Sequence, residues 1–400
     1  MVMLKQKSPW LKDIKIKALD LVNKEFFGNS PPTVFVGSKF MESKKANVGV
    51  MSPLDDKKEA WKYDDPIYWY NNNYPIRKIA ELRANLINAR KKSGIFDVRT
   101  NNKFLELAQE IAMSRKVTSI EVELKKKLHA KINIDKIHMP FGPGGEVKRL
   151  EAVGNITLQK DIEKVFYDTD LKAAEGIKIL TDKGFNENQI SQFLSIGTMG
   201  LKYNRKLVPT RWSITATDDT LGKDLIKEIK HNEIIKDYRL LFGNYFGNYY
   251  LIFLFPEAWS YELFESSVPD QLISPDQKLW TMTDYENYDG RKNYANNTVG
   301  GYYAARLSLL EYMKEKRIQA GALLLRFVTS EYSVPLGVFV VRQSVRKTVS
   351  SNEMIFNDKK IMLNVGNGII YRRFGYNIDN LLKDSILLNN INKQRKLFEF

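Results

Sequence analysis

The sequence predicts a mixed α/β (α+β) protein: one main mixed sheet flanked by helices, with a basic N-terminal helical region and a flexible C-terminal tail. Three observations carry this. Stretches whose apolar residues recur at helical spacing are interspersed with short alternating or wholly apolar runs. Gly- and Pro-rich punctuation separates them, most strongly at Phe141-Gly142-Pro143-Gly144-Gly145,. The 400 residues are 43% hydrophobic and 12% aromatic, the composition of an ordinary globular chain,. The expected division is a basic region over 1–140, an α/β core over 141–375, and a helix, linker and tail over 376–400.

Taken in order, residues 11–27 carry Leu11, Ile14, Ala18, Leu21 and Val22 on one helical face, and Gly28 to Pro32 stops them,. Residues 33–37 read as a short strand, and 52–75 as a loop rich in Asn, Asp, Pro and Tyr. A helix is expected over 76–92, with Ile79, Leu82, Leu86 and Ala89 inward. Ile120, Val122 and Leu124 alternate with charges, as a half-buried strand does. Residues 164–167 look like a strand end and 171–182 like a helix. Asn186 with Gln189 resembles a capping box. Residues 211–217 read as a strand, 221–230 as a helix, and 238–255 as a hairpin turning near Gly243 or Gly247. Gly300-Gly301 opens a helix to about 317, and 320–328 and 334–341 read as buried strands.

There is no cysteine, which excludes disulfides, Cys-rich zinc fingers, iron–sulfur clusters and thiol nucleophiles,. Only His129, His138 and His231 could serve as imidazole ligands, so zinc is not expected. The longest apolar stretch, residues 249–255, is far short of the ~20 residues a membrane helix needs. Residues 1–17 lack a secretory pattern. A soluble, cytoplasmic protein without a membrane partner is expected.

The formal charge is +15, and it is uneven. Residues 1–160 hold 30 basic and 18 acidic side chains, residues 161–337 hold 21 and 24, and the remainder 11 and 5. Two basic regions thus bracket a slightly acidic middle, a distribution suited to a polyanion such as DNA, or simply to a solubilising surface.

Four features bear chemistry. First, Asp168 and Asp170, and again Asp218 and Asp219, stand where an apparent strand runs into a helix. Brought together, they would hold Mg²⁺ for phosphoryl chemistry, with Arg211 stabilising charge; taken singly, each pair reads as a helix cap. Second, Gly144 and Gly145 followed by Lys148 and Arg149 would cradle a phosphate or nucleotide, or simply form a turn. The spacing matches neither a Walker A loop nor GxGxxG. Third, Tyr285, Tyr288, Tyr294, Tyr302 and Tyr303 interleave with Arg291, Lys292 and Arg306. Such a run stacks bases, or anchors a helix by its rings. Fourth, Gln394-Arg395-Lys396-Leu397-Phe398-Glu399-Phe400 fits the clamp-binding PIP pattern. One tight turn places Leu397 and Phe400 on the same side to plug an apolar pocket, with Gln394 hydrogen-bonding alongside and Phe398 also counted as partner-binding. Residues 389–393 would be its polar tether. The alternative is a C-terminal strand or helix with Leu397 and Phe400 packed inward.

Several of these segments resemble the archaeal DNA repair protein NreA family. The stretches are Tyr167-Asp168-Thr169-Asp170-Leu171-Lys172-Ala173-Ala174-Glu175, Lys206-Leu207-Val208-Pro209-Thr210-Arg211-Trp212, Thr217-Asp218-Asp219-Thr220, Arg291-Lys292 and Gly300-Gly301-Tyr302-Tyr303-Ala304-Ala305-Arg306-Leu307. The resemblance implies a role in DNA-damage tolerance and recruitment to the sliding clamp (PCNA) by the C-terminal motif. It implies no settled reaction. Some relatives carry an N-terminal cysteine cluster suited to zinc, which this chain lacks. The expected function is a DNA repair factor that docks on the clamp and holds DNA on basic surfaces. The alternatives are a Mg²⁺-dependent phosphoesterase or nuclease, and a nucleotide-binding sensor without turnover.

Overall fold

A computed structural model of the chain describes residues 24–55, 57–129, 132–133 and 139–393. The helix expected over 11–27 lies largely outside these, and its last residues, from Glu25 on, begin a strand. Two units are distinguished: residues 24–221 with 334–337, and residues 222–333 with 338–393. Mixed α/β architecture is as the sequence predicts. In place of one main sheet, however, each unit has its own six-stranded sheet.

In the first unit the strands are β1 (Glu25–Ser30), β2 (Val34–Val36), β3 (Lys45–Ser52), β4 (Ile87–Gly94), β5 (Thr118–Leu124) and β6 (Gly144–Ala152). Their order is β1-β5-β6-β4-β3-β2, with β4 and β6 parallel and the other neighbours antiparallel. The alternation at Ile120, Val122 and Leu124 holds: all three are buried. The helix expected over 76–92 ends early. Helix α1 spans Ile76–Ala84 and is capped at Asn85; the rest becomes β4. Ile87 and Ala89 bury beside Val48 and Val50 of β3, so sheet pairing overrides the helical spacing of Leu86 and Ala89,. Helix α2 (Lys103–Ala112) covers this core with Phe104, Leu105, Ala108 and Ile111.

Below that core, α3 (Lys160–Tyr167), α4 (Ala173–Asp182) and α5 (Glu187–Ser195) pack through Ile162, Val165, Ile177, Leu180, Ile190 and Phe193. Residues 164–167 are therefore helical, not a strand end, because Ile162 and Val165 bury at helical spacing. The capping box at Asn186 and Gln189 is present with both reciprocal bonds. A buried ion pair ties the unit together: Arg83 donates to Asp64 at 2.5 Å and to the Pro140 carbonyl at 2.9 Å. Asp64 also accepts from Thr33 and Gln192. Residues 211–217, expected as a strand, lie in α6 (Thr210–Ile229). Trp212 and Ser213 donate their amides to the Pro209 carbonyl, which starts the helical turn despite the β-branched Ile214, Thr215 and Thr217,.

The second unit opens with β7 (Glu233–Ile234), which pairs in a short ladder with Ile318–Gln319. Its main sheet uses β8 (Tyr238–Tyr245), β9 (Asn248–Phe255), β10 (Ser260–Ser267), β11 (Thr281–Glu286), β13 (Gly321–Val328) and β14 (Met354–Phe356), counting Ile318–Gln319 as β12. The order is β11-β10-β13-β9-β8-β14, with β10 and β13 parallel. The β8–β9 hairpin turns at Phe246-Gly247, both with positive φ (50° and 69°), which glycine accepts without strain,. Every residue of β9 is buried, as its unbroken apolar run demands,. Helix α7 (Gly300–Lys316) begins at the glycine pair as expected. Residues 338–341, expected in a strand, open α8 (Val338–Val349). There Val338, Val341 and Val345 bury on one face, and Ser344 donates to the Tyr245 carbonyl of β8. Helices α9 (Lys359–Phe374) and α10 (Ile386–Lys393) complete the core through Met362, Ile370, Leu387 and Leu388.

Candidate nucleic-acid interface

The two aspartate pairs occupy dissimilar settings. Asp168 is exposed at the end of α3, where its Oδ1 accepts from the amides of Asp170 (3.1 Å) and Leu171 (3.0 Å). Asp170 is exposed beside it. Asp218 is fully buried and Asp219 half-buried, both in the interior of α6 rather than before a helix. Arg211 is half-buried on the first turn of α6. Among the described residues, no group of three or more His, Cys, Asp or Glu is arranged to hold a metal ion.

The glycine-rich segment leads into a strand, not into a helix N-terminus. Gly144 and Gly145 pair with Asn88 and Ala89 of β4. A Cβ on Gly142 would lie 2.2 Å from the Ala84 carbonyl oxygen, so close backbone approach explains that glycine,. Lys148 is exposed and pairs with Glu123 at 2.6 Å, and Arg149 reaches Glu151 and Glu121 at 3.8 and 3.9 Å. The Lys148 ammonium is held above its usual range by that hydrogen bond to Glu123.

The tyrosine-rich segment turns mostly inward. Tyr302 and Arg306 are fully buried on α7, and Arg306 donates to Glu286 at 2.7 Å. Burial pushes the Tyr302 phenol far up. Arg291 binds Asp284 at 3.0 Å and the carbonyls of Tyr285, Asn293 and Tyr294, closing its own loop. Tyr294 stacks on Tyr303 at 5.5 Å. Tyr288 and Tyr294 remain exposed, Tyr288 under the Lys230 ammonium at 4.0 Å.

Exposed cations gather elsewhere in the first unit. On β4, the successive side chains Arg90, Lys91 and Lys92 are all exposed, and Lys39, Lys44 and Lys45 stand at the neighbouring end of β3 and the turn before it. Lys92 sits 3.8 Å over the Phe40 ring and Lys91 5.7 Å from Phe104, so aromatic faces brace both stems,. Among the described residues no carboxylate lies within salt-bridge distance of Arg90, Lys91 or Lys92. The run was readable in the sequence as three consecutive cations, but a helical reading of 76–92 hid its strand geometry, which turns Arg90 and Lys92 to one face and Lys91 to the other,.

A second surface forms around Arg205, which sequence reading missed. Its guanidinium donates to three carbonyls, Phe166 (2.7 Å), Gly200 (2.8 Å) and Asp168 (3.0 Å). The Lys202 amide donates to the Thr169 carbonyl at 2.9 Å. These bonds fasten the loop after α3, singled out in the sequence, to residues 200–205. Tyr167 and Tyr203 project from this joint, each 69% exposed.

The clamp-binding pattern, Gln394, Leu397, Phe398 and Phe400 included, lies outside the described residues. The tether expected over 389–393 is not a free linker: it belongs to α10. Glu262 of β10 accepts from Ser385 Oγ (2.6 Å) and from the amides of Ile386 and Leu387 (both 3.0 Å), pinning the start of that helix,.

Comparison with known proteins places this arrangement. Two family models match, Archaeal Nre, N-terminal over residues 5–274 and Archaeal Nre, C-terminal over residues 286–400. The chain belongs to the archaeal Nre family. It is 34% identical over 380 residues to the DNA repair protein NreB of Archaeoglobus fulgidus, covering 95% of this chain and 93% of that one. The DNA repair protein NreA of Haloferax volcanii is 31% identical over 325 residues, covering 80% and 77%. The DNA repair protein NreA of Archaeoglobus fulgidus is 33% identical over 354 residues, covering 88% and 86%. No solved structure matches. The Nre-type N-terminal model runs past residue 221 into the second unit, so the family division and the structural one differ. No helix among the described residues is long and apolar enough to cross a membrane.

Proposed function

We propose that this Nre-family chain is a DNA repair factor that holds the DNA backbone on the cations of β3 and β4 and is recruited to the sliding clamp (PCNA) by Gln394 to Phe400. The observation that carries the DNA reading is the run Arg90, Lys91 and Lys92, all exposed, with Lys91 and Lys92 braced by aromatic rings and only Arg90 facing a carboxylate, Glu146, beyond ion-pair distance, while Lys148 is engaged by Glu123. Cations without a carboxylate at ion-pair distance are the groups that displace counterions from phosphates. Such contacts fix position without reading sequence. The names of the relatives support the repair role.

Docking of α10 supports a definite geometry for recruitment. The clamp motif follows directly on a helix held at Glu262, so a clamp that binds it keeps the body within a few residues' reach,. Titration of the clamp with the full chain, and with the chain lacking residues 394–400, tests the recruitment. Binding is expected for the first and none for the second; equal affinity overturns it. Titration of duplex DNA at increasing salt tests the backbone contact, and salt-independent or absent binding overturns that part.

A further inference from the structure

Resting on the nucleic-acid reading above, we propose that Tyr167 and Tyr203 form a stacking platform for single-stranded nucleic acid. Large aromatic rings left open to solvent on a rigid base are groups awaiting a partner with a flat face. Both rings stand on a joint with little freedom. Arg205, itself buried, binds the carbonyls of Phe166, Asp168 and Gly200 and lies 5.3 Å over the Phe166 ring. Phe166 in turn meets Tyr167 edge-on at 5.3 Å. Tyr203 lies on the short 3-10 turn Lys202–Asn204, whose first amide is bonded to Thr169. A backbone so held spares the cost of ordering the loop on binding.

The electrostatics suit a polyanion. The carbonyl end of α3 would repel phosphate, but Arg205 covers two of its oxygens with charge,. Asp168 spends one oxygen on the amides of Asp170 and Leu171. Lys164, Lys172, Lys202 and Lys206 stand close to the two tyrosines in sequence, against Asp168, Asp170 and Glu163. Aromatics among lysines match the stacking-plus-charge mode of single-strand binders. A duplex keeps its bases stacked on one another, so it offers these rings nothing.

The test uses the full chain and fluorescence anisotropy with a labelled thymidine oligonucleotide and a duplex of the same length. Replacing Tyr167→Ala and Tyr203→Ala is expected to weaken single-strand binding by about tenfold for each ring. Duplex binding should change less than about twofold, and Tyr167→Phe with Tyr203→Phe should restore the single-strand affinity. Unchanged single-strand binding by the alanine variant overturns the platform while leaving the duplex reading intact. An equal loss on both DNAs overturns it too, since that reports damage to the fold. If the unaltered chain binds neither DNA, the broader reading fails with it. The thermal midpoint of each variant, expected to stay unchanged, guards the comparison.

Discussion

Arg306 donates to Glu286 across 2.7 Å, and neither side chain has any exposed surface. The Arg306 guanidinium also lies 5.6 Å from the Tyr302 ring and 5.4 Å from that of Tyr303. A Cβ on Gly222 would sit 3.1 Å from its Nη2, so glycine on α6 makes room for it. Taking two charges out of water is costly, and the pair persists because each has the other. Removing one partner leaves an uncompensated buried charge. Glu286→Gln or Arg306→Met is therefore expected to lower stability by about 3–5 kcal/mol, whereas replacing both with apolar residues should cost much less. Hydrogen exchange of α7 and β11 amides would show the difference; additive losses would refute the coupling.

Gly142 carries a prediction about backbone approach. A Cβ there meets the carbonyl oxygens of Ala84 at 2.2 Å and Leu86 at 2.8 Å, and no flexible side chain can yield. Gly142→Ala should destabilise the first unit by about 2–3 kcal/mol or more, with Gly144→Ala, whose nearest neighbours are 3.4 Å away, costing far less,. Denaturation midpoints of the two variants would rank them. The reverse order would remove the steric account.

The cap on α10 is sensitive to pH. Burial, the largest influence, pushes the Glu262 carboxyl above the usual glutamate range, and the donors from Ser385, Leu387 and Ile386 offset part of that. The folded state then binds this proton more tightly than the unfolded chain. Its contribution to stability is fully present below the unfolded value and falls as pH rises through the raised one. Glu262→Gln should flatten that slope. Glu262→Ala, which strips three donors of their acceptor, should cost about 1–2 kcal/mol and expose residues 386–393 to proteolysis,. Unchanged cleavage at the C-terminus would count against the anchoring role.

Salt dependence reads the β4 surface. Arg90→Ala with Lys92→Ala, which share one face of β4, should weaken duplex binding uniformly across sequences,. The slope of log affinity against log salt should become shallower by about 0.9 for each phosphate no longer neutralised, or roughly 2 for both. Sequence-selective weakening, or an unchanged slope, would put the phosphate-binding cations elsewhere.

The legibility of the sequence varied with how local the deciding interaction was. The capping box at Asn186 and Gln189 and the helix opened by Gly300-Gly301 were legible because neighbouring residues satisfy one another's backbone groups,. The β8–β9 hairpin was legible because Gly247 supplies a positive φ. Residues 87–92 and 338–341 were misread. Their apolar spacing is compatible with helix and strand alike, and partners far away in sequence chose between them,.

The sequence by itself determined a mixed α/β chain, its basic ends, its lack of thiol chemistry and its kinship with the Nre family, because these follow from residue content and short-range order. Only the tertiary structure decided which charges face water. Arg306 and Arg205 are internal fasteners, while Arg90, Lys91 and Lys92 have no carboxylate at ion-pair distance among the described residues. Burial and ion pairing depend on what packs from elsewhere in the chain, and the same guanidinium that binds phosphate at a surface binds a carboxylate or a carbonyl when covered.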